Sequence, residues 1–213
     1  MTQVLERDPV HPEQDPLHAP ATDVAESMAT ATGDLAATLH ASLVAIRSHS
    51  GGGAGTAWRG DGLIITNNHV VPGDEAEVLL PDGRALPGRV VARDPDHDLA
   101  AVMVEATLTP VSVADSSRLR AGEMVFAIGN PWGLRGSVTA GIVFGVGPAM
   151  EDSVPMRQVI RADIQLAPGN SGGPLADARG RVVGINSMIA GGMGVAVPSN
   201  TIIEFIATHV DVL

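Results

Sequence analysis

The chain has 213 residues, a mass of 21.8 kDa and a formal charge of −11 from 13 basic and 24 acidic residues. That balance disfavours binding to a phosphate backbone, which needs a basic face. All the basic residues are Arg and Cys is absent, which excludes a P-loop of the Gly-Lys-Ser/Thr type, a Schiff-base lysine, disulfides, thiolate metal ligands and cysteine nucleophiles.

Hydrophobic residues make up 45% of the chain and aromatics only 2%, so the core must be built from Val, Ile, Leu, Ala and Met. Residues 1–20 carry Pro9, Pro12, Pro16 and Pro20 and little apolar surface, and read as a disordered tail. Acids and prolines stand there where a signal peptide has a basic start and an apolar run. No stretch approaches the roughly 18 apolar residues of a membrane helix. A cytoplasmic protein without membrane insertion is therefore expected. His11, Glu13, Asp15 and His18 in this tail have nothing to hold them in ligand geometry, so neither a metal nor another cofactor is expected. Residues 22–42 are rich in Ala, Thr and Ser and predict a short helix interrupted by Gly33. The expected division is a disordered or weakly helical tail over 1–33 and one folded domain over 34–213.

From there the chain is punctuated as an all-β protein. Short runs rich in Val and Ile predict strands at 42–48, 54–60, 62–66, 76–81, 89–94 and 98–104. After a break near 114–122, further strands are predicted at 123–129, 136–146, 157–163, 181–187 and 193–198. Gly60-Asp61-Gly62 and Pro81-Asp82-Gly83 read as tight turns, and the glycine clusters at 51–53 and 191–192 as loops. No helical stretches separate the strands, which argues for barrels or sandwiches over βαβ units. Residues 199–210 close the chain as an amphipathic helix. Ser199 or Asn200 is its expected cap, and Ile202, Ile203, Phe205 and Ile206 form its apolar face.

Three segments could carry chemistry. His69 follows directly on an apolar strand in Thr66-Asn67-Asn68-His69-Val70-Val71. Asp98 opens a strand in Asp94-Pro95-Asp96-His97-Asp98-Leu99-Ala100. Ser171 lies in the glycine-rich turn Pro168-Gly169-Asn170-Ser171-Gly172-Gly173-Pro174. A serine hydroxyl is a poor nucleophile near neutral pH and needs a base, and histidine suits the task with an unperturbed pKa of about 6.5. A carboxylate holds the imidazole in one tautomer and stabilises the imidazolium. Glycines beside the serine allow backbone N–H groups to converge on a developing oxyanion. Each piece alone is ordinary: a strand-end His, a turn Asp, a plain loop.

Taken together and in this order, they resemble the trypsin-like serine proteases, specifically the HtrA (DegP/Deg) branch, with its T-N-x-H-V-V, D-x-D-L-A and G-N-S-G-G-P-L boxes. Residues 127–134 (AIGNPWGL), 138–143 (VTAGIV), 183–186 (VGIN) and 197–200 (VPSN) extend the resemblance from about residue 35 to 207. It implies two perpendicular six-stranded antiparallel β-barrels, about 34–113 and 114–213, with a C-terminal helix. It implies that Ser171 attacks a peptide carbonyl, His69 serves as base and then acid, and Asp98 orients His69. The N–H groups of Gly169 and Ser171, with Asn170 shaping the turn between them, form the oxyanion hole. Gln165 and Leu166 lie at or near the base of the pocket for the substrate residue before the scissile bond (P1), and Asn186-Ser187-Met188 pairs with substrate backbone as an added strand. No carboxylate is expected there, which predicts small or medium aliphatic P1 residues.

The resemblance thus implies a serine endopeptidase acting on unfolded or misfolded polypeptides through an acyl-enzyme, with no nucleic-acid partner. Asn170 precedes Ser171 where secreted zymogens have Asp, so activation by N-terminal cleavage is not expected. Relatives continue into a PDZ domain, and their trimers rest on N-terminal aromatics. With no Tyr and no aromatic before Trp58, the resemblance leaves a homo-oligomer open but does not carry the trimer over. Two other readings compete. An α/β-hydrolase would use Ser171, Asp177 or Glu204, and His209, but Gly172-Gly173-Pro174 cannot start the helix its nucleophile elbow requires. A catalytically silent protease-fold binding or chaperone module is the alternative from another class. His97 reads as an exposed turn residue.

Overall fold

The computed structural model describes residues 21–48, 51–134, 136–149 and 158–211. The tail with His11, Glu13, Asp15 and His18 lies outside them. Helix α1 (Ala21–His40) runs straight through Gly33, correcting the expected break. A mid-helix glycine costs only about 1 kcal/mol against alanine, too little to end a run of good helix formers. Among the described residues, those up to Asp34 form one unit and those from Leu35 onward another. In the second unit the last turn of α1 buries Leu35 and Leu39.

Twelve strands follow among the described residues. β1 (Leu43–Ser48), β2 (Gly51–Ala57), β3 (Leu63–Thr66), β4 (Glu75–Leu79), β5 (Ala85–Asp94) and β6 (Leu99–Met103) close an antiparallel barrel in the order β1-β2-β3-β6-β5-β4. β7 (Met124–Gly129), β8 (Ser137–Pro148), β9 (Gln158–Asp163), β10 (Pro174–Asp177), β11 (Val182–Ala190) and β12 (Met193–Pro198) close a second in the order β10-β11-β12-β9-β8-β7. Helix α2 (Ser199–His209) ends the fold. β10 was hidden in sequence because its four residues continue the glycine-rich box, and its proline occupies the first strand position, where a missing N–H is tolerated. Gly51–Gly53 are strand, not loop: Gly52 pairs with Arg47 and Gly53 with Ile46.

The period-2 alternation of the strands sorts their side chains between a barrel interior and a seam. On β3, Ile64 joins Val44, Val78 and Val102 inside the first barrel, while Leu63 and Ile65 face out. On β6, Ala100 and Val102 face in, and Leu99 and Ala101 out. The outward set meets Val159, Ile185, Val195 and Val197 of the second barrel and Ile202, Phe205 and Ile206 of α2. A second shared cluster joins Leu35 and Leu39 of α1, Leu43 and Ala54 of the first barrel, and Phe126, Ile128 and Ala176 of the second. This double burial explains why β3 and β6 read as continuous apolar runs.

The start of α2 corrects another expectation. Neither Ser199 nor Asn200 caps the helix, whose N-cap position is Pro198. Ser199 Oγ donates instead to Ala114 O at 2.6 Å, and Asn200 Nδ2 to Asp115 Oδ1 at 2.8 Å. They tie the linker between the barrels to the helix. None of the described helices is long and apolar enough to cross a membrane.

Candidate active site

The three sequence-predicted residues converge from both barrels. His69 sits in a 3₁₀ turn (Asn68–Val70) immediately after β3. Asp98 follows another 3₁₀ turn (Pro95–His97) and precedes β6. β3 and β6 are hydrogen-bonded neighbours, with Thr66 opposite Ala100, so the ladder brings the two turns side by side. His69 Nδ1 lies 2.9 Å from Asp98 Oδ2 and 3.0 Å from Oδ1. The His69 backbone N–H also donates to Oδ1 at 3.1 Å. The carboxylate is buried, whereas the imidazole side chain is 50% exposed, which leaves its Nε2 edge open to the cleft.

Ser171 comes from the turn before β10, and its main chain is anchored to both barrels. Ser171 O accepts from Ala54 N at 2.8 Å, and Gly172 O from Thr56 Oγ1 at 3.0 Å. Gly172 N donates to Asn186 O, and Asn186 N to Gly173 O, each at 2.9 Å. Gly172 has φ +86°, and a Cβ there would run into Ala54 O and Thr66 Oγ1. Glycine is therefore obligatory at this crossing. The Ser171 hydroxyl donates to Ser187 O at 2.7 Å, and among the described residues His69 Nε2 has no partner. His69 and Ser171 nevertheless line one cleft of about 360 Å³ with Gly52, Leu166, Pro168, Met188 and Ile189.

Asn170 is buried, with its N–H donating to Ala167 O at 2.9 Å and its carbonyl accepting from Gly173 N at 3.0 Å. It shapes the turn and has no free backbone donor. The N–H groups of Gly169 and Ser171 have no acceptor among the described residues. A residue the sequence reading did not single out supports this turn. Asn130 N donates to Gly169 O at 2.9 Å, while its side chain bridges Val44 O (3.2 Å) and Gly136 N (3.1 Å). Its only signal was membership of the Gly-Asn-Pro box.

The predicted substrate residues separate. Leu166 lines the cleft, but Gln165 does not. Gln165 is exposed, and its carbonyl accepts from Thr139 Oγ1 at 2.8 Å. Asn186 has both its backbone groups taken by Gly172 and Gly173. Ser187 and Met188 remain on the cleft. Ser187 does more than line it: its Oγ donates to Asp98 Oδ2 at 2.6 Å. His97 is half-buried, not exposed, with Nδ1 2.7 Å from Asp94 Oδ2.

Residues 53–185 match the trypsin-like peptidase domain family. The chain is 37% identical over 165 residues to the chloroplastic Protease Do-like 1 of Arabidopsis thaliana, covering 71% of this chain and 38% of that protein. It is 40% identical over 152 residues to the periplasmic serine endoprotease DegP of Salmonella typhimurium, covering 66% and 32%. It therefore spans about a third of the length of these curated relatives. Among solved structures, Deg5 matches with a TM-score of 0.73 at 32% identity, covering 83% of this chain and 92% of that one. The HtrA-type protease AlgW with a decapeptide matches with a TM-score of 0.78 at 27% identity, covering 84% and 67%.

Proposed function

We propose that this chain, which belongs to the trypsin-like peptidase family and within it to the HtrA/Deg proteases, is a serine endopeptidase that cleaves unfolded polypeptides through an acyl-enzyme. The observation that carries the reading is the buried Asp98 carboxylate holding His69 by Nδ1 with Nε2 facing the cleft that Ser171 lines. Asp98 fixes the tautomer with the proton on Nδ1, so Nε2 is the basic nitrogen. The second bond on Asp98, from Ser187 Oγ, holds the carboxylate in place as the imidazolium forms.

The Ser187 carbonyl, now occupied by the Ser171 hydroxyl, is the acceptor that a substrate N–H would take on pairing with the free edge of β11 beyond Asn186. Its capture releases the hydroxyl to rotate to His69 Nε2. Ser171 Oγ then attacks the carbonyl carbon as its proton passes to His69, and the oxyanion develops between the N–H groups of Gly169 and Ser171. His69 returns the proton to the leaving amine, and water, activated by the same nitrogen, hydrolyses the ester. Leu166, Ala167, Met188 and Ile189 give the pocket an apolar wall with no carboxylate, which supports small or medium aliphatic P1 residues. AlgW is a structural relative solved with bound peptides, which supports a polypeptide substrate here.

A fluorophosphonate probe tests the assignment: the wild type labels and Ser171→Ala does not. Absence of wild-type labelling, with unfolded protein still bound, replaces the enzyme by a binding module. A peptide library should show cleavage after Val, Ala, Ile or Leu, and strong cleavage after Arg or Lys overturns the pocket assignment.

A further inference from the structure

We propose that Arg93 and Asp94, the last two residues of β5, are positioning residues that hold the His69 turn and the Asp98 turn in register; this rests on the hydrolase reading of that pair. Both turns lie outside the strand ladders, so strand pairing alone does not fix them. The Arg93 side chain is 26% exposed and lies across the chain on both sides of His69. Its Nη1 donates to Asn68 Oδ1 at 3.0 Å and to Val71 O at 2.6 Å, and its Nη2 donates to Gly73 O. One planar fork thus meets three acceptors that flank the imidazole residue, a geometry an ammonium cannot reproduce. The Asp74 carboxylate, 3.8 Å away and 95% exposed, adds little.

Asp94 does the corresponding work on the other turn. Its Oδ1 accepts from His97 N at 3.2 Å and its Oδ2 from the His97 ring at 2.7 Å. These bonds close the 3₁₀ turn that delivers Asp98, the one non-glycine residue at positive φ (54°) among the described residues. That conformation is disfavoured for a residue with a Cβ and needs its surroundings to hold it. Successive strand residues project to opposite faces, so one dipeptide reaches both turns.

The test compares Arg93→Ala, Arg93→Lys and Asp94→Ala with Arg84→Ala, whose guanidinium lies on an exposed turn carboxylate, Asp82. The readouts are kcat, KM and the NMR resonance of the His69 Nδ1 proton. Misplacement of a catalytic group by about 1 Å costs on the order of a hundredfold. Arg93→Ala is accordingly expected to lower kcat about 10- to 100-fold with KM within about threefold, and to move the Nδ1 resonance. Added guanidinium ion should restore part of the loss, and Arg84→Ala should match the wild type. Arg93→Lys keeps the charge, serves if Arg93→Ala does not fold, and should still lose about fivefold or more. Asp94→Ala should move the same resonance. Wild-type kcat and resonance in Arg93→Lys, or a loss in Arg93→Ala that guanidinium does not restore and that tracks the unfolded fraction, overturns the role of Arg93. An unmoved resonance in Asp94→Ala removes Asp94. If the wild type neither labels nor cleaves, the hydrolase reading fails, while the resonance comparison still decides whether these side chains hold the pair.

Discussion

His69, Asp98 and Ser171 are readable from sequence because each sits in a short box whose neighbours have their own physical necessity: apolar strand before His69, a strand start after Asp98, glycines after Ser171. The supporting bonds are not readable in that way. Ser187 looks like one residue of a strand edge, and only the folded β11 places its hydroxyl 2.6 Å from Asp98. Arg93 gives no local signal, because its three acceptors lie 20 to 25 residues earlier in the chain. Gln165 and Asn186 part from Leu166, Ser187 and Met188 because neighbours along a box share sequence position but not direction. On the proposed mechanism the three residues act as one unit. Ser171→Ala and His69→Ala should each lower kcat by roughly 10⁴–10⁶, and the double variant should be little worse than either. Multiplicative losses in single-turnover assays would show that the two residues act independently.

Elements connect these residues to the core, and α2 is the clearest case. Of the apolar face expected over Ile202, Ile203, Phe205 and Ile206, Ile203 is instead exposed, and what the other three cover was not legible: the seam where β3 and β6 meet β9, β11 and β12. Phe205 is 2% exposed there. Phe205→Ala should cost about 3–5 kcal/mol, the transfer loss plus a cavity that the two barrels cannot easily close. Urea denaturation measures it, and a loss below about 1 kcal/mol would mean that α2 is peripheral. The other end of the helix contact is titratable. The Ser117 hydroxyl first, then the Asn200 amide and the Ser117 N–H, hold the Asp115 carboxyl below its ordinary value. A depressed carboxylate contributes stability above the unfolded pKa of about 4, lost as pH falls through the folded value. Wild type should therefore melt higher than Asp115→Asn at pH 6, and the gap should close below pH 4. A gap that persists unchanged at pH 2 would assign the effect to packing.

The whole molecule raises the question of whether two closed barrels behave as one. Strand number and turn spacing left barrels and sandwiches open, and the family resemblance implied two closed barrels. The sharing of apolar clusters between the barrels was not expected, because the alternation that shows which face is inward does not show what the outward face meets. Both shared clusters mix residues of the two barrels. Polar bonds also cross the cleft, from Thr56 to Gly172, Ala54 to Ser171, Asn130 to Val44 and Ser187 to Asp98. Separating the barrels would expose Leu63, Ile65 and Leu99 on one side and Val159, Ile185 and Val197 on the other, each fully buried. At about 1.5–3 kcal/mol for each such side chain, the lost burial rivals the 5–15 kcal/mol stability of a typical domain. Neither barrel should then survive alone. Native-state hydrogen exchange should report the same global opening free energy, within about 1 kcal/mol, for the most protected amides of β3 and β6 and for those of β9 and β12. Two separated values would mean that one lobe opens while the other stays folded. Because His69 and Asp98 belong to one barrel and Ser171 to the other, probe labelling would then vanish with the weaker lobe.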